Sequence, residues 1–259
     1  MVEYRSKNIY GDFYENKERP LVVVIGGSRP GMPAPISNKL LEYLKVNYNL
    51  LLLSYYGVKG LPESLEKIPL EYFINAVDYI KDKYNIEDEK VIIIGQSKGG
   101  EAALVLTNYI KSAITIACVA GCFVFQGLPR NLLDLVALKP KSSWTYNNKE
   151  LPFIKFCIEK DMLEDARNKN YCRCYEKSID KNYNKNAVIN INNYKGKVLL
   201  LSEKNDKYWP SKKMSEFIVN NSIRKEYVKH TVLDLNGHYF LDYEESVDEI
   251  INYLKENQL

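Results

Sequence analysis

The run VIIIGQSKGGE, residues 91–101, leaves a chain few ways to fold. Val91, Ile92, Ile93 and Ile94 are β-branched and uncharged, which suits a short strand buried on both faces of a sheet. From Glu101 the sequence EAALVLTNYI is rich in helix formers and nearly all apolar, which suits a buried helix. Ser97 therefore falls on the turn between them, where the chain must reverse within a few residues and the serine is forced into strained backbone geometry. Gly95 and Gly99, two residues to either side, relieve the crowding. The hydroxyl then stands at the carboxyl end of the strand, near the positive end of a helix, where ligand sites of such sheets gather. A bare G-x-S-x-G arises by chance; one set between a buried strand and a helix is far more specific.

The remaining sequence supplies the sheet that this turn needs. LVVVIGG (21–27), NLLLLSYY (49–56), AITIACVAG (113–121), KVLLLSEKND (197–206) and YVKHTVLDL (227–235) read as strands. Between them, SNKLLEYLKV reads as an amphipathic helix capped by Ser37, and LEYFINAVDYIKDKY carries Leu70, Phe73, Ile74 and Val77 at helical spacing. A last helix places Val247, Ile250, Ile251 and Leu254 on one face. The alternation predicts a mostly parallel sheet flanked by helices, an α/β fold, and with Ser97 on its turn an α/β-hydrolase fold. Two regions break the pattern. The first 20 residues are polar and tyrosine-rich and are expected to form an edge hairpin; residues 122–194 show no sustained alternation and are expected to form a lid or cap within a single domain, 1–259.

Composition narrows the function classes. A chain of 259 residues with 46% hydrophobic content can bury one large core. A net charge of +3 from 36 basic and 33 acidic residues gives no footprint for nucleic acid or for a membrane surface. No apolar run reaches the roughly 20 residues that span a bilayer, and no leader pattern opens the chain, so a soluble cytoplasmic protein is expected. The five cysteines are an odd number and read as free thiols. Cys172-Arg-Cys174 is spaced too tightly for a zinc knuckle and has no histidine nearby, so neither a metal nor another cofactor is expected. Lys98, Arg29 and Lys59 read as solvated surface, with contact to substrate phosphates as the alternative.

A hydroxyl attacks well only when a base takes its proton, and the chain holds 2 histidines. His230 lies inside the strand YVKHTVLDL, where a packed imidazole is the simpler reading. His238, in LNGHYF, lies just past that strand's carboxyl end and is the better base. Asp206 follows the preceding strand at the same edge and is the better partner for the imidazole, with Glu203 and Asp234 as rivals. The order Ser97, Asp206, His238 is the order of the α/β-hydrolase triad. An oxyanion would be held by the backbone amide of Lys98 and by the loop GGSRPG, at Gly27 or Ser28.

These residues carry a family resemblance. YYGVKGLPESLEKIPLEYFINAVDYI, GQSKGGEAAL, NDKYWPS and NGHYF together resemble the carboxyl-terminal catalytic domain shared by acyl-CoA thioesterases and bile acid-CoA:amino acid N-acyltransferase. The likeness runs from about residue 20 to the end and is weaker through 122–194; the β-sandwich that precedes this domain in the animal enzymes is expected to be absent. The resemblance implies Ser97 as nucleophile, Asp206 as acid partner and His238 as base. The amino-acid-transferring branch carries cysteine at the nucleophile position, so Ser97 implies hydrolysis by water. The expected substrate is a small-molecule acyl thioester or ester. The alternatives are a carboxylesterase or peptidase of the same fold, an acyltransferase, or a non-catalytic binding module. Acyl length, leaving group and oligomeric state stay open. Phe123, Phe125, Leu132, Leu135, Trp144, Phe153 and Phe156 would either line an acyl pocket or fold residues 122–194 onto the core.

Overall fold

Strands form where β-branched residues and leucines run without interruption. The computed structural model describes residues 1–131 and 133–259, with Asp161 and Leu163 described by their backbone alone. β1 (Val2–Arg5) and β2 (Tyr10–Tyr14) make the expected amino-terminal hairpin. β3 (Leu21–Ile25) and β4 (Asn49–Leu53) follow, each buried along its whole length. The two-residue strand β5 (Ile68–Pro69) precedes β6 (Val91–Gln96) and β7 (Ile114–Cys118). Two short strands, β8 (Trp144–Tyr146) and β9 (Lys149–Glu150), lie within the 122–194 segment, before β10 (Lys197–Glu203) and β11 (Val228–Leu233).

The main sheet has eight strands in the order β1-β2-β4-β3-β6-β7-β10-β11. β2 pairs antiparallel with β1 and with β4, and every pairing from β4 to β11 is parallel. The sheet is thus mostly parallel, and β1 and β11 are its edges. β11 is half exposed and bonded on one side, to β10.

Strand side chains alternate between two cores. Val23, Ile25 and Ile93 meet α2 (Leu70–Tyr84), α3 (Lys98–Leu106) and α7 (Ser211–Asn221) through Phe73, Val77, Leu104 and Ile218. Val22, Val24, Ile92 and Ile94 meet α1 (Asn38–Asn47) and α8 (Glu244–Glu256) through Leu40, Leu44, Val247 and Ile250. α1 starts where expected, the Ser37 hydroxyl accepting the Leu40 amide at 3.2 Å.

Residues 122–194 carry α4 (Asp134–Ala137), α5 (Leu163–Arg167) and α6 (Cys172–Asn182) besides β8 and β9. β8 pairs with β5 and β9 in a separate three-stranded sheet. Elsewhere the segment is joined by isolated bridges, Leu65 to Leu128, Phe125 to Ile154 and Gln126 to Ser142. Among the described residues no helix is long and apolar enough to cross a membrane.

Candidate active site

Parallel pairing brings the carboxyl ends of β6, β10 and β11 to one rim of the sheet, and the loops that leave them carry Ser97, Asp206 and His238. Ser97 has φ 58° and ψ −121°. A non-glycine residue held there stores about 1–3 kcal/mol of strain, so its neighbours must hold the turn. They do so through the Ser97 amide, which donates to the Cys118 carbonyl at 2.9 Å, and the Ser97 carbonyl, which accepts the Glu101 amide at 2.9 Å. The flanking glycines are required by close approach. A Cβ on Gly95 would lie 2.1 Å from the Gly99 carbonyl oxygen, and one on Gly99 would lie 2.2 Å from that of Gly26.

The Ser97 hydroxyl lies 2.8 Å from His238 Nε2, and His238 Nδ1 lies 2.9 and 3.0 Å from the two carboxylate oxygens of Asp206. The imidazole is 5% exposed, enough burial for its hydrogen bonds to fix its orientation. The rim loops are braced against one another. Gln96 Oε1 accepts the Leu241 amide at 2.9 Å, tying the loop of His238 to the strand that leads to Ser97. Buried Glu203 accepts the amides of Asn205 at 3.1 Å and Leu235 at 2.8 Å, joining the loops of Asp206 and His238. Asp234, the other rival acid, pairs instead with Lys204 at 2.8 Å. His230 stands apart, 2.7 Å from the Ser202 hydroxyl, with burial lowering its pKa.

Gly27 lies against Ser97, a Cβ there being 3.1 Å from that of the serine. The Tyr55 hydroxyl donates to the Gly27 carbonyl at 2.7 Å, and the Tyr56 hydroxyl donates to that of Ser28. Both carbonyls are thus held by phenols. Among the described residues neither the Lys98 amide nor the Ser28 amide donates a hydrogen bond within the protein.

Lys98 departs from both readings of its sequence. Its side chain is buried, and its ammonium lies 2.7 Å from both carboxylate oxygens of Glu101, which is fully buried. Glu101 also accepts the Trp144 indole N–H at 2.8 Å and the Phe125 amide at 3.4 Å. Burial pushes the Glu101 carboxyl up and the Lys98 ammonium down, and their mutual attraction opposes both shifts. The pair fastens the first turn after Ser97 to residues 125 and 144. Arg29 and Lys59 are exposed, as expected.

An apolar cavity of about 630 Å³ opens beside Ser97 and His238. The aromatic set proposed for it from the sequence divides. Leu135 and Phe156 border the cavity, whereas Trp144, Phe123 and Phe125 are buried in the core and Phe153 packs against it. Leu132 lies outside the described residues. Much of the wall comes from Met162, Ile158, Tyr175, Tyr208 and Trp209, which no periodic pattern marked. Two of these reach the imidazole. Tyr208 stacks on His238 at 4.6 Å and 22°, while its amide donates to Asp206 Oδ1 at 2.9 Å. Trp209 approaches edge-on at 6.3 Å, its indole N–H bound to the Val119 carbonyl at 2.7 Å. Val119 itself has φ 43°, an outlier for a β-branched residue. NDKYWPS in the sequence joined Tyr208 and Trp209 to Asp206, but only the folded loop shows their rings turned to His238.

Residues 68–241 match the family described as BAAT / Acyl-CoA thioester hydrolase C terminal. The chain belongs to this family. Its similar curated relatives include acyl-coenzyme A amino acid N-acyltransferase 1 of Mus musculus, 33% identical over 89 residues, which are 34% of this chain and 21% of that protein. Acyl-coenzyme A thioesterase 1 of Homo sapiens is 36% identical over 74 residues, 29% of this chain and 18% of that protein. The matched stretch spans about a fifth of these relatives' length. In three dimensions this BAAT-family chain is similar to the α/β hydrolase GrgF of Penicillium sp. sh18, with TM-score 0.63, 16% identity and coverage of 99% and 97% of the two chains. An esterase of Pyrococcus furiosus gives TM-score 0.62 at 15% identity, covering 97% of this chain and 87% of its own. The fold is that of the α/β hydrolases.

Proposed function

We propose that the protein hydrolyses an acyl thioester through an acyl-enzyme on Ser97. The observation that carries this reading is the unbroken chain of contacts Ser97 Oγ, His238 Nε2, His238 Nδ1, Asp206 at the mouth of an apolar cavity. With Nδ1–H donating to Asp206, Nε2 is left to accept the Ser97 proton as the hydroxyl attacks the carbonyl. The negative charge that develops on the carbonyl oxygen falls to the amide of Lys98 and one from Gly27 or Ser28. The imidazolium, flanked by Asp206 and faced by the Tyr208 ring, then returns its proton to the leaving group or, for a thiolate that leaves unaided, releases it. A water molecule deprotonated by His238 completes the cycle. Asp206 holds one imidazole tautomer and balances its charge without taking the proton.

Membership of the BAAT family supports a thioester as substrate, and serine at position 97 supports water as the acceptor. Residues 122–194, which supply much of the cavity wall, act in this reading as a cap over the rim of one domain. The test is hydrolysis of acyl-CoA thioesters and of matched oxygen esters by the whole chain, together with labelling by a fluorophosphonate. Turnover of thioesters with label on Ser97 supports the proposal. Turnover confined to oxygen esters replaces it with a carboxylesterase, and turnover that survives Ser97→Ala removes Ser97 from the chemistry.

A further inference from the structure

Tyr175 belongs to the cavity wall, but the chemistry of Ser97, His238 and Asp206 does not use it. It lies on α6, and its ring is held by three aromatic neighbours. Phe125 meets it at 4.9 Å and 84°, Phe156 at 5.3 Å and 89°, and Trp209 at 5.3 Å and 74°. Edge contacts of this kind fix a ring without engaging its hydroxyl. Among the described residues no protein group bonds the Tyr175 hydroxyl. Two other polar groups of the wall are occupied, the Tyr56 hydroxyl donating to the Ser28 carbonyl and the Cys174 thiol to that of Cys157.

Unpaired side-chain oxygens that are sealed from solvent occur elsewhere, at Ser54, Glu71, Ser215 and Glu249. The Tyr175 hydroxyl is not one of them, and the residue that carries it is part-buried and borders the cavity. Burial raises its pKa well above the ordinary tyrosine value, which keeps it a neutral O–H donor throughout the working range. Trp209 touches both Tyr175 and His238, so the phenol sits one ring away from the proposed base. A phenylalanine would fill the same space against a plain hydrocarbon chain. A tyrosine there leaves a donor that an alkyl chain dehydrates and cannot satisfy.

We propose that Tyr175 makes this a site for oxygen-substituted acyl groups, its phenol O–H donating to a hydroxyl or keto oxygen carried on the acyl chain near the reacting carbonyl. The proposal rests on the acyl-hydrolase reading of Ser97. It assigns Tyr175 no part in bond breaking; the residue selects among acyl groups.

The experiment measures kcat/KM by thiol release on acyl-CoA thioesters of equal chain length, unsubstituted or carrying a hydroxyl or keto group at successive positions from the carbonyl. For the native chain at least one oxygen-substituted member should exceed the plain chain by about tenfold, the scale of one neutral hydrogen bond. Tyr175→Phe, which keeps the ring, should remove that preference by lowering kcat/KM on the substituted member about tenfold more than on the plain chain. Equal rates on plain and substituted chains in the native protein overturn the proposal. A preference that survives Tyr175→Phe, or an equal loss on every substrate with a lower Tm, overturns it as well. If no thioester or ester in the panel is hydrolysed and a fluorophosphonate leaves Ser97 unlabelled, the acyl-hydrolase reading itself fails and takes this proposal with it.

Discussion

The rim of the main sheet and residues 122–194 both border the cavity, yet they are held together by different means. β3, β6, β7 and β10 run in continuous parallel register, and Ser97, Asp206 and His238 leave the strand ends on short braced loops. Residues 122–194 are tied by short backbone pairings, β5 to β8 and isolated bridges, and by side-chain bonds such as the Ser143 hydroxyl to the Phe125 carbonyl at 2.9 Å, the Ser142 amide to Glu150 at 2.7 Å and the Asn182 amide group to the Lys155 carbonyl at 2.9 Å. Continuous backbone pairing thus places Ser97, Asp206 and His238, whereas short pairings and side chains place the cavity wall. A wall residue can be exchanged at local cost; a rim residue cannot.

The sharpest way to break this comparison is at Ser97. Ser97→Ala should lower kcat/KM on every substrate by at least about 10³-fold with little change in Tm, since the turn is held by backbone bonds and flanking glycines. Loss confined to long-chain substrates would mean that the rim, too, acts through shape.

The junction between the two regions should give a large effect on stability. Glu101→Ala leaves the Lys98 ammonium buried without a partner and strips an acceptor from Trp144 and Phe125, so urea unfolding should show a loss of about 3–5 kcal/mol. A loss below about 1 kcal/mol would show that the regions are joined elsewhere.

Within residues 122–194, Phe125 and Phe156 separate folding from selection. Phe125→Ala, in the core, should cost about 3–5 kcal/mol. Phe156→Ala, on the wall, should shift the preference among acyl lengths, each methylene removed from apolar contact being worth about 0.8 kcal/mol, or roughly fourfold. Swapped outcomes would reverse the roles assigned to these two positions.

The smallest effect concerns His230. Burial lowers its pKa in the folded state, so the unfolded chain binds its proton more readily and folding stability contributed by this residue falls as pH drops below roughly 6.5. His230→Gln should flatten that acid-side slope in chemical denaturation while the pH dependence of turnover is unchanged. An altered turnover profile would bring His230 into the site.

The two regions also differed in what their residues revealed. Val91–Ile94, the glycine-framed Ser97 and the carboxyl-end positions of Asp206 and His238 were legible because strand periodicity and turn chemistry are local properties. The strand ends shifted slightly, from 113–121 to Ile114–Cys118 and from 227–235 to Val228–Leu233. Lys98 was not legible, because its burial depends on Glu101 and on Trp144, which approaches from 43 residues beyond Glu101. The cavity wall was half legible for the same reason. Phe125 and Phe156 are equally apolar in sequence, and only packing decides that one is sealed and the other faces the cavity.

β11 lies at the edge of the sheet, and the proposed chemistry depends on the loop that follows it. The loop carrying His238 follows a strand bonded on one side, whereas Ser97 follows one paired on both. Opening at that edge would withdraw the imidazole while the centre of the sheet stays paired, and such local openings can lie below the global unfolding free energy. On warming, loss of the proposed activity should then follow fraying at Val228–Leu233 and precede global melting. Amide exchange along β11 should accordingly outpace exchange along β6 at temperatures where the circular dichroism is still that of the native fold.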